Sequence, residues 1–109
     1  LHLSGSTSGR PIKVAATGTP GTLIHTAVSG VVLFDSFYLF ANNTDAAAVK
    51  LTLEWGGVTS PDDLDEVTIP GEHGAYVVAN GAKLNGGLVV RAFAASGNVI
   101  NLRGWVVRA

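Results

Sequence analysis

The sequence has no cysteine and few charged residues. Without Cys among its 109 residues, disulfide bonds and thiolate metal sites are excluded. Only 14% of the residues are charged, below the ~25% of typical soluble domains. The net charge is -1, so the chain lacks the overall basic charge that marks nucleic-acid-binding proteins. A surface this poor in charge favours association with other subunits over a free monomer.

Long apolar runs are also absent. No stretch approaches the ~20 consecutive apolar residues of a membrane-spanning helix, so we expect no membrane contact. Hydrophobic residues nevertheless make up 47% of the chain, and 14 glycines are scattered through it. A chain of this length buries about two-thirds of its surface on folding, which is enough for one domain without cross-links.

The clearest strand patterns lie between residues 34 and 55. In 49–55 the apolar residues alternate strictly with Lys50, Thr52 and Glu54, which predicts a strand with one core face and one solvent face. In 34–41 apolar and aromatic residues occupy both faces, so that strand must be covered on both. The segment ANNTDA between them has the residues of a turn and predicts an antiparallel hairpin.

Glycine, proline and asparagine separate further strand patterns along the chain. The segment ASGN predicts a second hairpin between 88–94 and 99–107. Ser60, Pro61 and the acids after them predict one helical turn rather than a helix. About eight strands without a helix predict an all-β protein, a β-sandwich that is jelly-roll-like. The predicted strands are 10–16, 22–28, 31–40, 49–55, 66–69, 75–79, 88–94 and 99–107.

The first nine residues differ in composition from the rest. Leu1 and Leu3 precede SGSTSG, which has the small residues of a flexible linker. We therefore expect residues 1–9 to form a flexible N-terminal arm and residues 10–109 to form the single sandwich domain. Two leucines before a flexible segment are hard to bury locally, so the arm is predicted to dock on a neighbouring subunit.

Catalytic and cofactor chemistry has weak support in the sequence. A serine could be combined with His25 or His73, but no Gly-x-Ser-x-Gly motif marks a nucleophile. His25 is in phase with its strand and is predicted to be a hydrogen-bonded sheet residue, whereas His73 is predicted to lie in an exposed loop. We expect no enzyme activity and no cofactor.

The acidic cluster between residues 62 and 66 has the oxygen ligands that Ca²⁺ prefers, but its spacing matches no calcium loop. A solvated loop is the preferred interpretation, and calcium binding stays open as the alternative.

The two tryptophans are predicted to differ. Trp55 is in phase with the core residues of its strand, whereas Trp105 shares a face with Arg103 and Val107. Trp105 is therefore the candidate for an exposed or interface aromatic. An aromatic platform for sugar could include Trp55, Trp105, Tyr38 and Tyr76, and a carbohydrate-binding module would use Trp105 or Tyr76 on an exposed face.

Three segments of the sequence carry a resemblance: LFDSFYLFANNTDAAAVKLTLEWGG, TSPDDLDEVTIPGEHGAYVV and LNGGLVVRAFAASGNVINLRGWVVR. They resemble small virion structural proteins of tailed bacteriophages, of the capsid decoration or cement type. The similarity runs from about Arg10 onward and includes RPIKV and TPGTLIHTA. The resemblance implies a β-sandwich on the outer surface of the capsid that bridges capsomers. The expected partners are the major capsid protein and further copies of this chain, which would form a homotrimer.

We expect the partner contacts to involve apolar side chains and arginines, since Arg91 and Arg103 interrupt otherwise apolar strands. Alternative functions are a head-fibre or tail accessory protein and a carbohydrate-binding β-sandwich module. The residues predicted to contact a partner or another subunit are Leu1, Leu3, Arg10, Phe37, Leu39, Arg103 and Trp105.

Overall fold

The chain folds into two four-stranded antiparallel sheets and contains no helix. A computed structural model describes all 109 residues. The prediction of an all-β sandwich with about eight strands is confirmed. Sheet A contains β1 (Ile12–Lys13), β3 (Asp35–Asn43), β6 (His73–Leu84) and β8 (Ile100–Arg108). Sheet B contains β2 (Thr22–Thr26), β4 (Val49–Trp55), β5 (Leu64–Ile69) and β7 (Val89–Ala94).

The strand order follows one rule throughout the sandwich. Sheet A has the order β1-β8-β3-β6, and sheet B has the order β2-β7-β4-β5. The first strand therefore pairs with the last, the second with the seventh, the third with the sixth and the fourth with the fifth. The first four strands thus pair with the last four in reverse order, and successive pairs alternate between the two sheets.

Both predicted hairpins are wrong, because each connection crosses between the sheets. Residues 44–48 lead from β3 in sheet A to β4 in sheet B, and residues 95–99 lead from β7 in sheet B to β8 in sheet A. Buried Asn43 holds the first crossing by donating its side-chain amide to the carbonyls of Ala47 and Ile69, at 3.0 and 3.1 Å. Turn residues indicate that the chain reverses, but they do not specify which sheet receives the next strand.

The core lies between the inner faces of the two sheets. Along β3, buried and half-buried residues alternate, and Phe37 and Leu39 point inward. The ring of Phe37 contacts those of His25 and Trp55, with centroids 5.3 and 4.8 Å apart. The prediction that Trp55 packs with the core is confirmed.

The outer face of β4 is covered, so its predicted solvent face is wrong for Thr52 and Glu54, which are both buried. The loop between β1 and β2 lies over this part of sheet B. The Thr19 hydroxyl and the Gly21 N–H donate hydrogen bonds to the Glu54 carboxylate. A Cβ at Gly21 would clash with the backbone of Ala92, so glycine lets the loop lie directly on β7.

The predicted flexible arm is wrong for residues 1–5, which pack on their own domain. Leu3 is only 1% exposed and belongs to the core. The Leu1 carbonyl accepts a hydrogen bond from the N–H of Val106 in sheet A, and the Gly5 N–H donates to the carbonyl of Ile24 in sheet B, both at 3.0 Å. The segment therefore joins the two sheets along one side of the sandwich.

Three local predictions have different outcomes. The strand predicted from Val31 begins only at Asp35, because the residues before it form an exposed loop. The strand predicted over 75–79 is longer in the structure: Asn80 and Gly81, an Asn-Gly pair typical of tight turns, lie inside β6, where Gly81 has a φ of 91° at a shift of the strand register. The predicted helical turn is wrong: a 2.9 Å hydrogen bond from the Asp63 N–H to the Thr59 carbonyl closes a turn, but no residue in it is helical and its Ser60–Pro61 peptide bond is cis.

Candidate interaction surfaces

The residues predicted to contact a partner divide into a buried and an exposed group. The prediction is wrong for three that lie in the core of their own chain: Leu3, Phe37 and Leu39. A strand that is apolar on both faces does not indicate which face points inward, and β3 turns Phe37 and Leu39 to the core. The others lie on the surface, where their contact with a partner stays a prediction: Leu1, Arg10, Arg103 and Trp105.

The outer face of sheet A carries three neighbouring aromatic side chains, Tyr38, Phe40 and Trp105, which we name the aromatic face. Tyr38 lies opposite Trp105 in the pairing of β3 with β8, and their rings stack at 5.4 Å with an angle of 17°. The Phe40 and Trp105 rings are 5.8 Å apart. Trp105 remains 45% exposed, which confirms the prediction of an exposed tryptophan. Sequence reasoning included Tyr38 with Trp105 in a possible aromatic platform but missed Phe40, because either face of β3 could have been the outer one.

Two shallow grooves are lined in part by residues of β8, and the first includes two side chains of the aromatic face. The first, of about 400 Å³, is lined by Phe40, Arg103 and Trp105 together with small residues including Gly9. The second, of about 480 Å³, has Arg10 and Lys13 in its lining, with Asn98 and Asn101. No acidic residue lines either groove, and none of the three cationic side chains forms an ion pair.

Exposed apolar side chains gather at one end of the sandwich, which we name the apolar end: residues 31–34 with Val58 and Leu88. Val31 and Val32 are the most exposed, at 76% and 88%. Hydrogen bonds hold both ends of the 31–34 loop, since the Gly30 carbonyl accepts from the Gly86 N–H and Phe34 exchanges two backbone hydrogen bonds with Ala109. The sequence pattern did not predict this surface, because a short apolar run such as 31–34 also predicts a strand.

A charged network around the buried Asp35 carboxylate connects the two sheets near the apolar end, and its Arg108 side chain is partly exposed. The Asp35 carboxylate accepts hydrogen bonds from Arg108 at 2.7 and 2.9 Å and lies 2.8 Å from Nε2 of His25. The Arg108 guanidinium is the main reason that the pKa of Asp35 falls from 3.8 to about 2, and the hydrogen bond with His25 acts in the same direction. Sequence reasoning missed the ion pair of Asp35 with Arg108, although a carboxylate between the aromatic residues of FDSF was an available signal.

The hydrogen bonds of His25 define its protonation and leave neither ring nitrogen free. The backbone N–H of Ser4 donates to Nδ1 at 2.9 Å, so the proton lies on Nε2, which donates to Asp35. The Ser4 hydroxyl instead accepts from the Thr26 N–H at 2.8 Å. His25 therefore cannot accept a proton from a serine in this arrangement, and its prediction as a hydrogen-bonded sheet residue is confirmed. His73 is exposed, but it begins β6 rather than lying in a loop.

The acidic residues near β5 are engaged in local contacts. The Asp63 carboxylate accepts a hydrogen bond from the Thr59 N–H at 3.1 Å, and Glu66 forms a 3.0 Å surface ion pair with Lys50. No group of three or more acidic or histidine side chains is arranged to hold a metal ion. The geometry thus gives the calcium alternative no support.

Comparison with protein-family models, with curated protein sequences and with solved structures found no match to this chain. The structure contains no helix that could span a membrane.

Proposed function

We propose that this chain is a non-enzymatic virion structural protein that decorates the outer surface of a tailed-phage capsid and stabilises it by bridging capsomers. Its partners in this proposal are the major capsid protein and further copies of itself, arranged as a homotrimer. The sequence resemblance suggests the role, and the apolar end is the structural observation that carries it.

The apolar end has the properties of a docking surface. Full burial of a Val, Leu or Phe side chain contributes about 1.5–3 kcal/mol, and residues 31–34 supply four such side chains in succession. Their loop is already held at Gly30 and Phe34 by backbone hydrogen bonds. Docking therefore requires little additional ordering, which favours affinity.

Binding at the apolar end would stabilise a shell by linkage. A ligand that binds only the assembled state lowers the free energy of that state and raises the cost of separating its parts. Each contact needs only moderate strength, because a particle lattice presents many neighbouring sites at high effective concentration. The low charged fraction of the chain is compatible with such extensive contacts.

Co-sedimentation tests this proposal. Purified chain is mixed with expanded heads of the phage that encodes it, prepared without this protein, and the particles are pelleted. We expect saturable co-sedimentation at a fixed ratio to the major capsid protein. If the chain stays in the supernatant, the capsid proposal is wrong, and the same assay with purified tails then tests the head-fibre or tail alternative.

A pair of double variants tests the apolar end itself. In Val31→Thr with Val32→Thr, each replacement keeps the side-chain shape but adds a hydroxyl that must be desolvated on docking, at about 1–2 kcal/mol each. We expect head binding at least about tenfold weaker, since about 1.4 kcal/mol corresponds to tenfold in affinity.

The matched control, Val77→Thr with Val107→Thr, changes two equally apolar, exposed side chains of sheet A. It should bind normally. Equal loss in both double variants would reject the apolar end as the docking surface.

A further inference from the structure

We propose that the aromatic face and its two grooves form a binding site for an acidic saccharide, with a sugar ring on Trp105 and a sugar carboxylate on Arg103. This site goes beyond the proposed capsid contact, because it lies on the outer face of sheet A and not at the apolar end.

Trp105 provides a fixed aromatic surface. Its indole is 45% exposed, while its orientation is set by stacking on Tyr38 and by contact with Phe40. The negative face of an aromatic ring attracts the weakly positive C–H groups of a sugar ring. Because neighbouring rings already hold the indole, a sugar can bind without the loss of side-chain entropy that a mobile tryptophan would incur.

Arg103 provides the charge that selects an acidic sugar. It lies opposite Phe40 in the pairing of β3 with β8 and lines the same groove as Trp105. The guanidinium has no ion-pair partner in the structure. A guanidinium is planar like a carboxylate and can bind it through two parallel hydrogen bonds. The unpaired Arg103 guanidinium can therefore hold a sugar carboxylate beside the Trp105 ring.

The second groove extends this site along β8. Gly9 borders the first groove and Arg10 borders the second, so the two adjoin at residues 9 and 10. Lys13 continues the cationic lining, and Asn98 and Asn101 add amide groups suited to sugar hydroxyls. Eight acidic residues are present in the chain, yet none lines either groove. The two grooves therefore fit an acidic saccharide of several units.

The charge density favours a saccharide over nucleic acid. Single- and double-stranded nucleic acids carry a phosphate at every nucleotide, and proteins bind them with many cations. Here the grooves offer Arg10, Lys13 and Arg103, on a chain whose net charge is -1. A polymer with sparse carboxylates and hydroxyls between them matches this arrangement better.

Titration of the isolated chain with matched probes tests the proposal. Oligogalacturonate is compared with its neutral methyl ester, and sialyllactose with lactose, by tryptophan fluorescence and calorimetry. Because Trp55 packs against the core, a fluorescence change reports on Trp105. We expect at least one acidic probe to bind about tenfold or more tightly than its neutral partner, the effect of losing one charge-assisted hydrogen bond. If neither acidic probe binds, the proposal is wrong.

Single substitutions test which side chains bind the saccharide. Trp105→Ala should abolish binding, and Arg103→Gln should remove the difference between acidic and neutral probes. Lys50→Gln is the matched control, because it removes an exposed cation from sheet B. Unchanged binding by Trp105→Ala, or equal or tighter binding of an oligothymidylate, would overturn the proposal.

The apolar-end variant, Val31→Thr with Val32→Thr, should bind the saccharide normally. The two proposals can therefore fail separately.

Discussion

Asp35 and Glu54 are both completely buried carboxylates, but they stabilise the sandwich in different ways. Asp35 points inward from sheet A and binds a guanidinium, an imidazole from sheet B and the Val28 N–H. Glu54 lies on the outer face of sheet B and accepts hydrogen bonds from Thr19 and Gly21 of a single loop. Asp35 thus connects the two sheets, whereas Glu54 attaches one loop to one sheet.

The comparison shows that burial alone does not define the structural importance of a carboxylate. What matters is how many elements lose a partner when it is removed, and whether a charge is left behind. Removal of Asp35 would leave the Arg108 charge and the His25 Nε2–H without their acceptor. Removal of Glu54 would leave only uncharged donors, both from one loop.

The largest effect is expected for Asp35→Ala. The substitution leaves the buried His25 Nε2–H and the Val28 N–H without an acceptor, at about 1–3 kcal/mol each, and removes the ion pair with the partly exposed Arg108. Urea unfolding followed by tryptophan fluorescence measures this change. A loss below about 1 kcal/mol would show that Asp35 does not stabilise the sandwich as its contacts indicate.

Leu3→Ala extends the comparison to the N-terminal segment, whose Ser4 N–H donates to His25 of the same network. Leu3 is in the core, so its truncation should cost about 3 kcal/mol. Leu1→Ala is the matched control: its side chain is exposed, and its effect should stay within about 0.5 kcal/mol. Equal effects of the two variants in urea unfolding would restore the flexible-arm hypothesis.

The contribution of Asp35 to stability is expected to depend on pH. The folded-state pKa of Asp35, about 2, is below its usual value of 3.8, so its contribution is present above about pH 4 and is lost as the pH falls through 2. This difference corresponds to about 2 kcal/mol. We expect the destabilisation by Asp35→Asn to be smaller at pH 2 than at pH 6 by this amount, as measured by urea unfolding. A destabilisation that does not change with pH would contradict the linkage.

The smallest effect is expected for Glu54→Gln. The amide retains one acceptor for Thr19 or Gly21 but places an NH₂ group near the other donor, at a cost of about 1 kcal/mol. Hydrogen exchange should accelerate at the Gly21 amide while the amides of β3 remain protected. Acceleration throughout both sheets would mean that Glu54 stabilises more than its own loop.

The fold class and most strands could be predicted from the sequence, but the pairing of the strands could not. Alternation and turn residues indicate where strands lie, whereas the crossing after Asn43 depends on its contact with the distant Ile69 carbonyl. The orientation of β3 was equally hidden, because its two faces are similarly apolar and the choice depends on contacts of Asp35 with two other strands.

The exposure of a side chain could be predicted where the residues on the same face of its strand gave a consistent pattern. Trp55 follows three buried residues of the same face, and Trp105 shares its face with Arg103, so both predictions were correct. The burial of Glu54 was not predictable, since it depends on the path of a loop from another part of the chain. The apolar end was missed because exposure of residues 31–34 is a tertiary property.

The winding of the chain also sets an order for folding during synthesis. All strands of sheet B have been made once Ala94 leaves the ribosome, whereas sheet A waits for β8, which ends at Arg108. Translation adds about 5–20 residues per second, and domains dominated by such distant pairings fold in milliseconds to seconds. Sheet B can therefore close first, and β1 and β3, the two neighbours of β8, must wait for the strand that carries Trp105.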